Sequence, residues 1–217
     1  LLAGLFAEGR VEVREPSRSR DHTERMFQAA GITLDVSDEG VAMEGGQQLS
    51  LPSERIDVPT DLSAAAFFVV ASAILDDSTL ELPRLGLNPT RTGFLDVVGG
   101  TDRSDLRTQL GEPRGLLHVR GEPDLRRQPL KLAGSLIPRL IDEIPVLCVL
   151  AARCEGVTVI RDAEDLRAKE SDRIATTAAM LRAFAALLCV AASSGLVLPA
   201  RTAVSTPLAR RGRPGYR

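Results

Sequence analysis

The sequence predicts an α/β fold assembled from repeated units of helix and strand. The same order of elements occurs three times, at a spacing of roughly 70–80 residues. Each time, an apolar helix is followed by a short alternating strand and then by a polar loop that leads into a second helix. The 217 residues are 44% hydrophobic and 26% charged, which is ordinary for a globular protein. A net charge of −2 and only 3% aromatic residues disfavour a nucleic-acid-binding surface.

The first unit begins with a helix pattern at 1–9, which leads into an alternating strand at 10–16. A polar loop then opens a helix at 19–31. The stretch 32–45 predicts a pair of strands, with the turn at Asp38–Gly40. Such units place helices over each sheet.

The second and third units repeat this order. Their predicted elements are, in order, helix 63–78, strand 79–85 and helix 88–100, then helix 145–156, strand 157–163 and helix 169–181. In the third unit, Ser171 and Asp172 favour the start of the second helix.

Charge and cysteine content restrict the function classes. All acidic residues lie at or before Asp172, whereas seven arginines follow it. The cysteines Cys148, Cys154 and Cys189 include no CxxC pair, so a disulfide framework or a zinc site is not expected. We therefore expect free buried thiols in the reducing cytoplasm, no metal and no membrane span.

The loop before the second helix of each unit carries a cation: Arg20, Arg91 and Lys169. Free N–H groups and the positive end of the helix dipole make such a position suitable for phosphate or carboxylate. Any one of these loops alone is explained more simply by a solvated, capped helix start. Three equivalent loops favour an anionic ligand.

Two segments carry the strongest chemical signals. In 166–181, Lys169 and Arg173 are four residues apart and would share one helical face, an arrangement that needs an anion or Glu170 to offset it. In 134–152, the pair Asp142-Glu143 lies among isoleucine and valine, so burial is expected to raise the carboxyl pKa toward that of a useful base. A charged helix start remains the alternative in both segments.

The sequence resembles the 5-enolpyruvylshikimate-3-phosphate (EPSP) synthase family. The resemblance is carried, in this order, by SRDHTERM at 19–26, DVPTDLSAAAFF at 57–68, GLNPTRTG at 86–93, IDEIP at 141–145 and KESDRI at 169–174. The family implies an enolpyruvyl transferase-like fold, an inverse α/β barrel with repeated βαβαββ units in two lobes, here incomplete. It also implies transfer of the enolpyruvyl group of phosphoenolpyruvate to the 5-hydroxyl of shikimate 3-phosphate, without metal or organic cofactor.

The resemblance implies three catalytic residues. Asp142 would hold the shikimate hydroxyls and act as base toward the 5-hydroxyl. Glu170 would exchange a proton with the methylene carbon of the enolpyruvyl group. Lys169 would contact both substrates and stabilise developing charge.

The implied substrate-binding residues overlap with this set. Arg20, with Ser19 beside it, would bind the phosphate of shikimate 3-phosphate, and Arg173 would bind the phosphoenolpyruvate carboxylate. Asp142 and Lys169 would also contact substrate. Asn88 and Arg91 match the family motif and are expected to be structural or interdomain.

The sequence also departs from the family pattern. We expect 1–56 to be the remainder of a first lobe, 57–185 part of a second lobe, and 186–217 an aberrant or frameshifted tail in which the resemblance has ended. At 97–130 the expected helix ending and strand are interrupted, with Gly99 and Gly100 breaking the helix. The family's N-terminal substrate contacts are missing, so the monomeric chain as given is expected to be inactive.

Three other interpretations remain open at this stage. The first is a related UDP-N-acetylglucosamine enolpyruvyl transferase, against which KESDRI and SRDHTE argue. The second is a non-catalytic fragment or pseudogene product. The third is a module that binds an anion without turnover.

Overall fold

A computed structural model describes residues 1–15, 18–52, 55–121 and 128–193, with side chains described as far as residue 185. The helices are α1 His22–Ala29, α2 Leu62–Ile74, α3 Gly93–Val98, α4 Ile144–Ala151 and α5 Arg173–Ser193. The strands are β1 Arg10–Arg14, β2 Asp35–Ser37, β3 Gly40–Glu44, β4 Thr79–Gly86, β5 Thr101–Gln109, β6 Glu112–Arg120, β7 Lys131–Leu132 and β8 Val159–Ile160. Short 3₁₀ helices span Leu2–Phe6, Gly134–Arg139, Ile141–Glu143 and Glu164–Arg167. The predicted tail at 186–217 lies outside the described side chains.

The first two units form sheets of identical topology. In the first sheet the strand order is β1-β3-β2, and in the second it is β4-β6-β5. In both sheets the last strand along the chain therefore lies in the middle. All four strand pairings are antiparallel. The repeat predicted from the sequence is confirmed at the level of topology.

The second unit also has a short parallel connection at its start. Thr60 forms a parallel bridge with Leu85 of β4, and α2 links the two. The order is then strand, α2, β4, α3, β5, β6, which is a βαβαββ unit. The third unit starts in the same way, because β7 pairs in parallel with β8 across α4.

Two predicted segments differ from the structure. The helix predicted at 1–9 is a 3₁₀ helix of five residues. The sequence also predicted that regular structure is interrupted at 97–130. This prediction is wrong for residues 101–120, where β5 and β6 form a hairpin with nine residues in each strand. Leu110 and Gly111 have φ values of 49° and 73°, as a two-residue type I′ turn requires. The helix break itself is confirmed: α3 ends at Val98, and Gly99 has a φ of 67°.

The main hydrophobic core lies between the helices and the second sheet. It contains Ala66 and Val69 of α2, Phe94 of α3, Leu117 of β6 and Leu147 of α4, all of which are fully buried. Helix α2 is apolar nearly all round and leaves Phe67 and Phe68 exposed to solvent. A second, smaller core of Phe27, Ile32 and Met43 lies in the first unit.

Cys148 and Cys154 are free thiols, and burial raises the pKa of Cys148 to about 11. Within the described part of the chain, no helix combines the length and apolarity needed to cross a membrane. The same residues contain no group of three or more His, Cys, Asp or Glu side chains placed to hold a metal ion.

Candidate active site

Asp142 lies in the 3₁₀ turn Ile141–Glu143, directly before α4. A 3₁₀ helix has three residues per turn, so the side chains of consecutive residues diverge by about 120°. Asp142 accordingly faces a cluster of cations and keeps 21% of its side chain exposed. Glu143 points the other way and is only 1% exposed. The turn therefore sends one carboxylate outward and the other into the core.

Three cations converge on the Asp142 carboxylate. Arg20 Nη2 donates a short hydrogen bond to Oδ2. Arg173 Nη1 donates to Oδ1 at 3.1 Å, and Lys169 Nζ lies 3.4 Å from the same oxygen. We call these four residues the Asp142 cluster. One carboxylate faces three cations, so the cluster carries a net positive charge suited to an anionic ligand.

Each cation lies at or just before the start of a helix. Arg20 lies just before α1, whose loop is held by Asn88, a residue only 2% exposed. The Asn88 amide donates to Asp21 Oδ1 at 2.8 Å and to Glu112 at 3.2 Å. Asn88 thus joins the start of α1 to β6, and this structural contact fixes the Arg20 loop.

The sequence predicted that Lys169 and Arg173 share one helical face, and this prediction is wrong. Helix α5 begins only at Arg173, because Asp172 caps it by accepting a hydrogen bond from the Ala175 amide at 2.9 Å. Lys169 lies in the irregular segment before this cap. The two cations meet at Asp142 Oδ1 instead, which supplies the anion that their spacing requires.

The prediction of a raised pKa is wrong for Asp142 and confirmed for Glu143. Burial tends to raise the pKa of Asp142, but the hydrogen bond and charge of Arg20 and the charge of Lys169 outweigh it and leave this pKa below its ordinary value. Burial raises the pKa of Glu143, and its partners Ser63 and Arg91 offset this only in part. The difference arises because the cations face only one side of the turn.

Glu170 and Ser19 lie at the margin of this arrangement. Glu170 is 79% exposed and accepts a hydrogen bond from Arg173 Nη2 at 2.7 Å, which lowers the pKa of Glu170. Ser19 donates its hydroxyl to Glu15 and lines a separate cavity of about 300 Å³. The other residues around this cavity are Arg18, Thr90, Ser135, Leu136 and Arg139. Four of the six predicted residues are therefore brought together directly, and Glu170 joins them through Arg173.

The sequence did not predict the contacts of Glu143. Ser63 Oγ donates to Glu143 Oε1 at 2.5 Å, and Arg91 Nη2 donates to Ser63 Oγ at 2.5 Å. The signal was present in the position of Glu143 among Ile141, Ile144 and Val146, but no spacing rule connects it to residues so distant in sequence. We call Glu143, Ser63 and Arg91 the buried triad.

The repeated βαβαββ units and the cationic cluster at the helix starts define an α/β protein of the enolpyruvyl transferase class. The chain belongs to the EPSP synthase (3-phosphoshikimate 1-carboxyvinyltransferase) family, whose family model matches residues 1–203. The matched residues extend past residue 185, and the aberrant or frameshifted tail at 186–217 remains a prediction.

Relatives of this family cover most of the chain. A 3-phosphoshikimate 1-carboxyvinyltransferase of Geobacter sulfurreducens is 45% identical over 201 residues, which are 91% of this chain and 46% of the relative. One from Synechococcus sp. (strain JA-3-3Ab) is 51% identical over 184 residues, or 82% of this chain and 40% of the relative. The solved structure of EPSP synthase from Acinetobacter baumannii matches with a TM-score of 0.69 at 39% identity, covering 82% of this chain and 40% of that one. The chain thus spans less than half the length of these relatives.

Proposed function

We propose that this chain carries part of the active site that transfers the enolpyruvyl group of phosphoenolpyruvate to the 5-hydroxyl of shikimate 3-phosphate. The products are EPSP and phosphate, on the shikimate route to chorismate and the aromatic amino acids. The observation that carries this proposal is the convergence of Arg20, Lys169 and Arg173 on Asp142. Both substrates are anions, and the cluster offers an excess of cations.

In this proposal, the cations of the cluster divide the two substrates between them. Arg20 binds the phosphate of shikimate 3-phosphate, because a guanidinium donates two parallel hydrogen bonds to a phosphate or carboxylate. Arg173 binds the phosphoenolpyruvate carboxylate by the same geometry. Lys169, a compact charge at the same Asp142 carboxylate, contacts both substrates. Asp142 contacts all three cations, so an anionic substrate has to compete with its carboxylate.

The chemistry requires one proton to leave the 5-hydroxyl and one to enter and later leave the methylene carbon. Asp142 accepts the hydroxyl proton. Its lowered pKa keeps the carboxylate ionised, although the same shift makes it a weaker base than the raised pKa expected from the sequence. Glu170 is exposed, linked to Arg173, and free to approach a substrate bound there. It takes up a proton from solvent and passes it to the methylene carbon during addition, then removes one during elimination of phosphate and returns it to solvent.

The 217 residues span less than half of the relatives' length. A site built from two lobes needs groups from both. We propose that these 217 residues alone bind shikimate 3-phosphate without converting it, and that the protein is monomeric and cytoplasmic. The family match favours this substrate over UDP-N-acetylglucosamine.

Calorimetric titration of the chain with shikimate 3-phosphate tests this proposal. We expect saturable binding, and we expect Arg20→Ala to weaken it by about tenfold or more, since a hydrogen bond to a charged group contributes roughly 1.5–3 kcal/mol. Arg107→Ala removes the same charge from an exposed position on β5, where the partner is Asp105, and is the matched control.

Three outcomes contradict the proposal: no binding by the unsubstituted chain, equal weakening by both substitutions, or preferential binding of UDP-N-acetylglucosamine in a parallel titration. The second outcome would mean that only the overall charge attracts the ligand.

A further inference from the structure

We propose that Glu143 is a positioning residue which, through Ser63 and Arg91, sets the direction in which Asp142 faces the cations of its cluster. This inference rests on the proposed function only where it concerns substrate binding. The orientation of Asp142 itself is a property of the free chain and is testable without any ligand.

The buried triad joins three elements that also pack in the main core. Ser63 lies in the first turn of α2, Arg91 lies in the loop before α3, and Glu143 ends the 3₁₀ turn that carries Asp142. Arg91 Nη2 also lies 3.7 Å from Asp61, the residue that caps α2. The turn is therefore held from two sides through a single side chain.

Holding Glu143 fixes Asp142 because the two residues are adjacent in a tight turn. The Glu143 amide donates to the Leu140 carbonyl at 3.0 Å, which closes the turn. A rotation that pulled Glu143 from Ser63 would swing Asp142 away from Arg20, Lys169 and Arg173, since consecutive side chains in a 3₁₀ turn keep a fixed angle between them. The inward carboxylate thus serves as the anchor for the outward one.

A role in stability alone explains the burial of the Glu143 carboxylate less well than a positioning role does. Its side chain is 1% exposed, yet Oε2 has no hydrogen-bond partner among the described residues, and neither does the buried Nε of Arg91. Burying such groups is unfavourable, and an apolar residue at this position would pack without that cost. A buried carboxylate with an unpartnered oxygen calls for an explanation, and a requirement for orientation supplies one.

The test compares Glu143→Leu, which removes the hydrogen-bond acceptor, with Glu143→Gln, which keeps an acceptor for Ser63. We expect Glu143→Leu to weaken shikimate 3-phosphate binding roughly tenfold, because small displacements of a binding group have large effects. Glu143→Gln should recover most of this loss. Val98→Ala, a fully buried truncation in α3, is the control for general destabilisation and should leave binding unchanged.

A second measurement follows the Asp142 carboxyl by NMR during a pH titration of the ligand-free chain. In Glu143→Leu the pKa of Asp142 should rise toward its ordinary value, since the carboxylate loses contact with Arg20 and Lys169. Val98→Ala should not change it. If Glu143→Leu does not fold, Ser63→Ala removes the donor from the other side and should shift the same pKa in the same direction.

The two proposals fail in different ways. If the unsubstituted chain does not bind shikimate 3-phosphate but the Asp142 titration shifts as described, the proposed function fails and the positioning role stands. If Glu143→Leu, or Ser63→Ala in its place, lowers stability and leaves the titration of Asp142 unchanged, Glu143 is only structural and the positioning role is overturned.

Discussion

Asp142 is the residue on which the site depends, because among the described residues it is the one that contacts all three of Arg20, Lys169 and Arg173. The motif IDEIP at 141–145 predicted that Asp142 contacts substrate. The polar segments before α1 and α5 predicted cations for an anionic ligand. The local sequence could not predict the protonation of Asp142, since its apolar neighbours suggested a raised pKa. The cations that lower this pKa, Arg20 and Lys169, are 122 and 27 residues away along the chain. Such partners become visible only once the chain is folded.

The lowered pKa of Asp142 makes its contribution to stability dependent on pH. A carboxyl whose pKa is lower in the folded chain stabilises the fold above its unfolded value of 3.8, and this contribution is lost as the pH falls through the folded value. Asp142→Asn should therefore reduce the free energy of unfolding by about 1–3 kcal/mol at neutral pH. Urea denaturation should show this difference shrinking in acid. A difference that is equal at neutral and acidic pH would contradict the assignment.

At the scale of elements, periodicity predicted the repeat well and the β5–β6 hairpin poorly. Helix α2 and strand β4 have strong apolar patterns and were found near the expected positions. Strand β5 has the sequence TDRSDLRTQ, in which most residues are exposed and no apolar alternation exists. It forms because it pairs with β6, whose Leu117 and Val119 are buried. Tertiary pairing, rather than local preference, decides this strand.

The start of α2 supports both the fold and the buried triad. Asp61 accepts hydrogen bonds from the Ser63 and Ala64 amides, each at 3.1 Å. Asp61→Ala should lower the free energy of unfolding by about 1 kcal/mol, the usual effect of losing such a cap. Asp61→Asn retains the acceptor and should stay close to the unsubstituted chain. Chemical denaturation of the three proteins measures this, and equal stabilities would rule out the capping role.

On the scale of the whole molecule, the site joins residues from distant parts of the chain. Arg20 precedes α1, next to the small core, whereas Asp142, Lys169 and Arg173 border the main core. Contacts such as Arg25 to the Gly111 carbonyl and His22 to Glu112 connect these regions. The sequence predicted the units individually, but no local pattern predicts how they pack together. The division at residues 56 and 57 remains a prediction.

The central claim is that the Asp142 cluster binds shikimate 3-phosphate in a chain that does not turn it over. Phosphorus NMR of shikimate 3-phosphate, with phosphoenolpyruvate added afterwards, tests both parts in one sample. We predict that the chain shifts or broadens the phosphate resonance of shikimate 3-phosphate, that Arg20→Ala abolishes this change, and that no inorganic phosphate appears. An unaltered resonance, or growth of an inorganic phosphate signal that depends on shikimate 3-phosphate, would contradict the account.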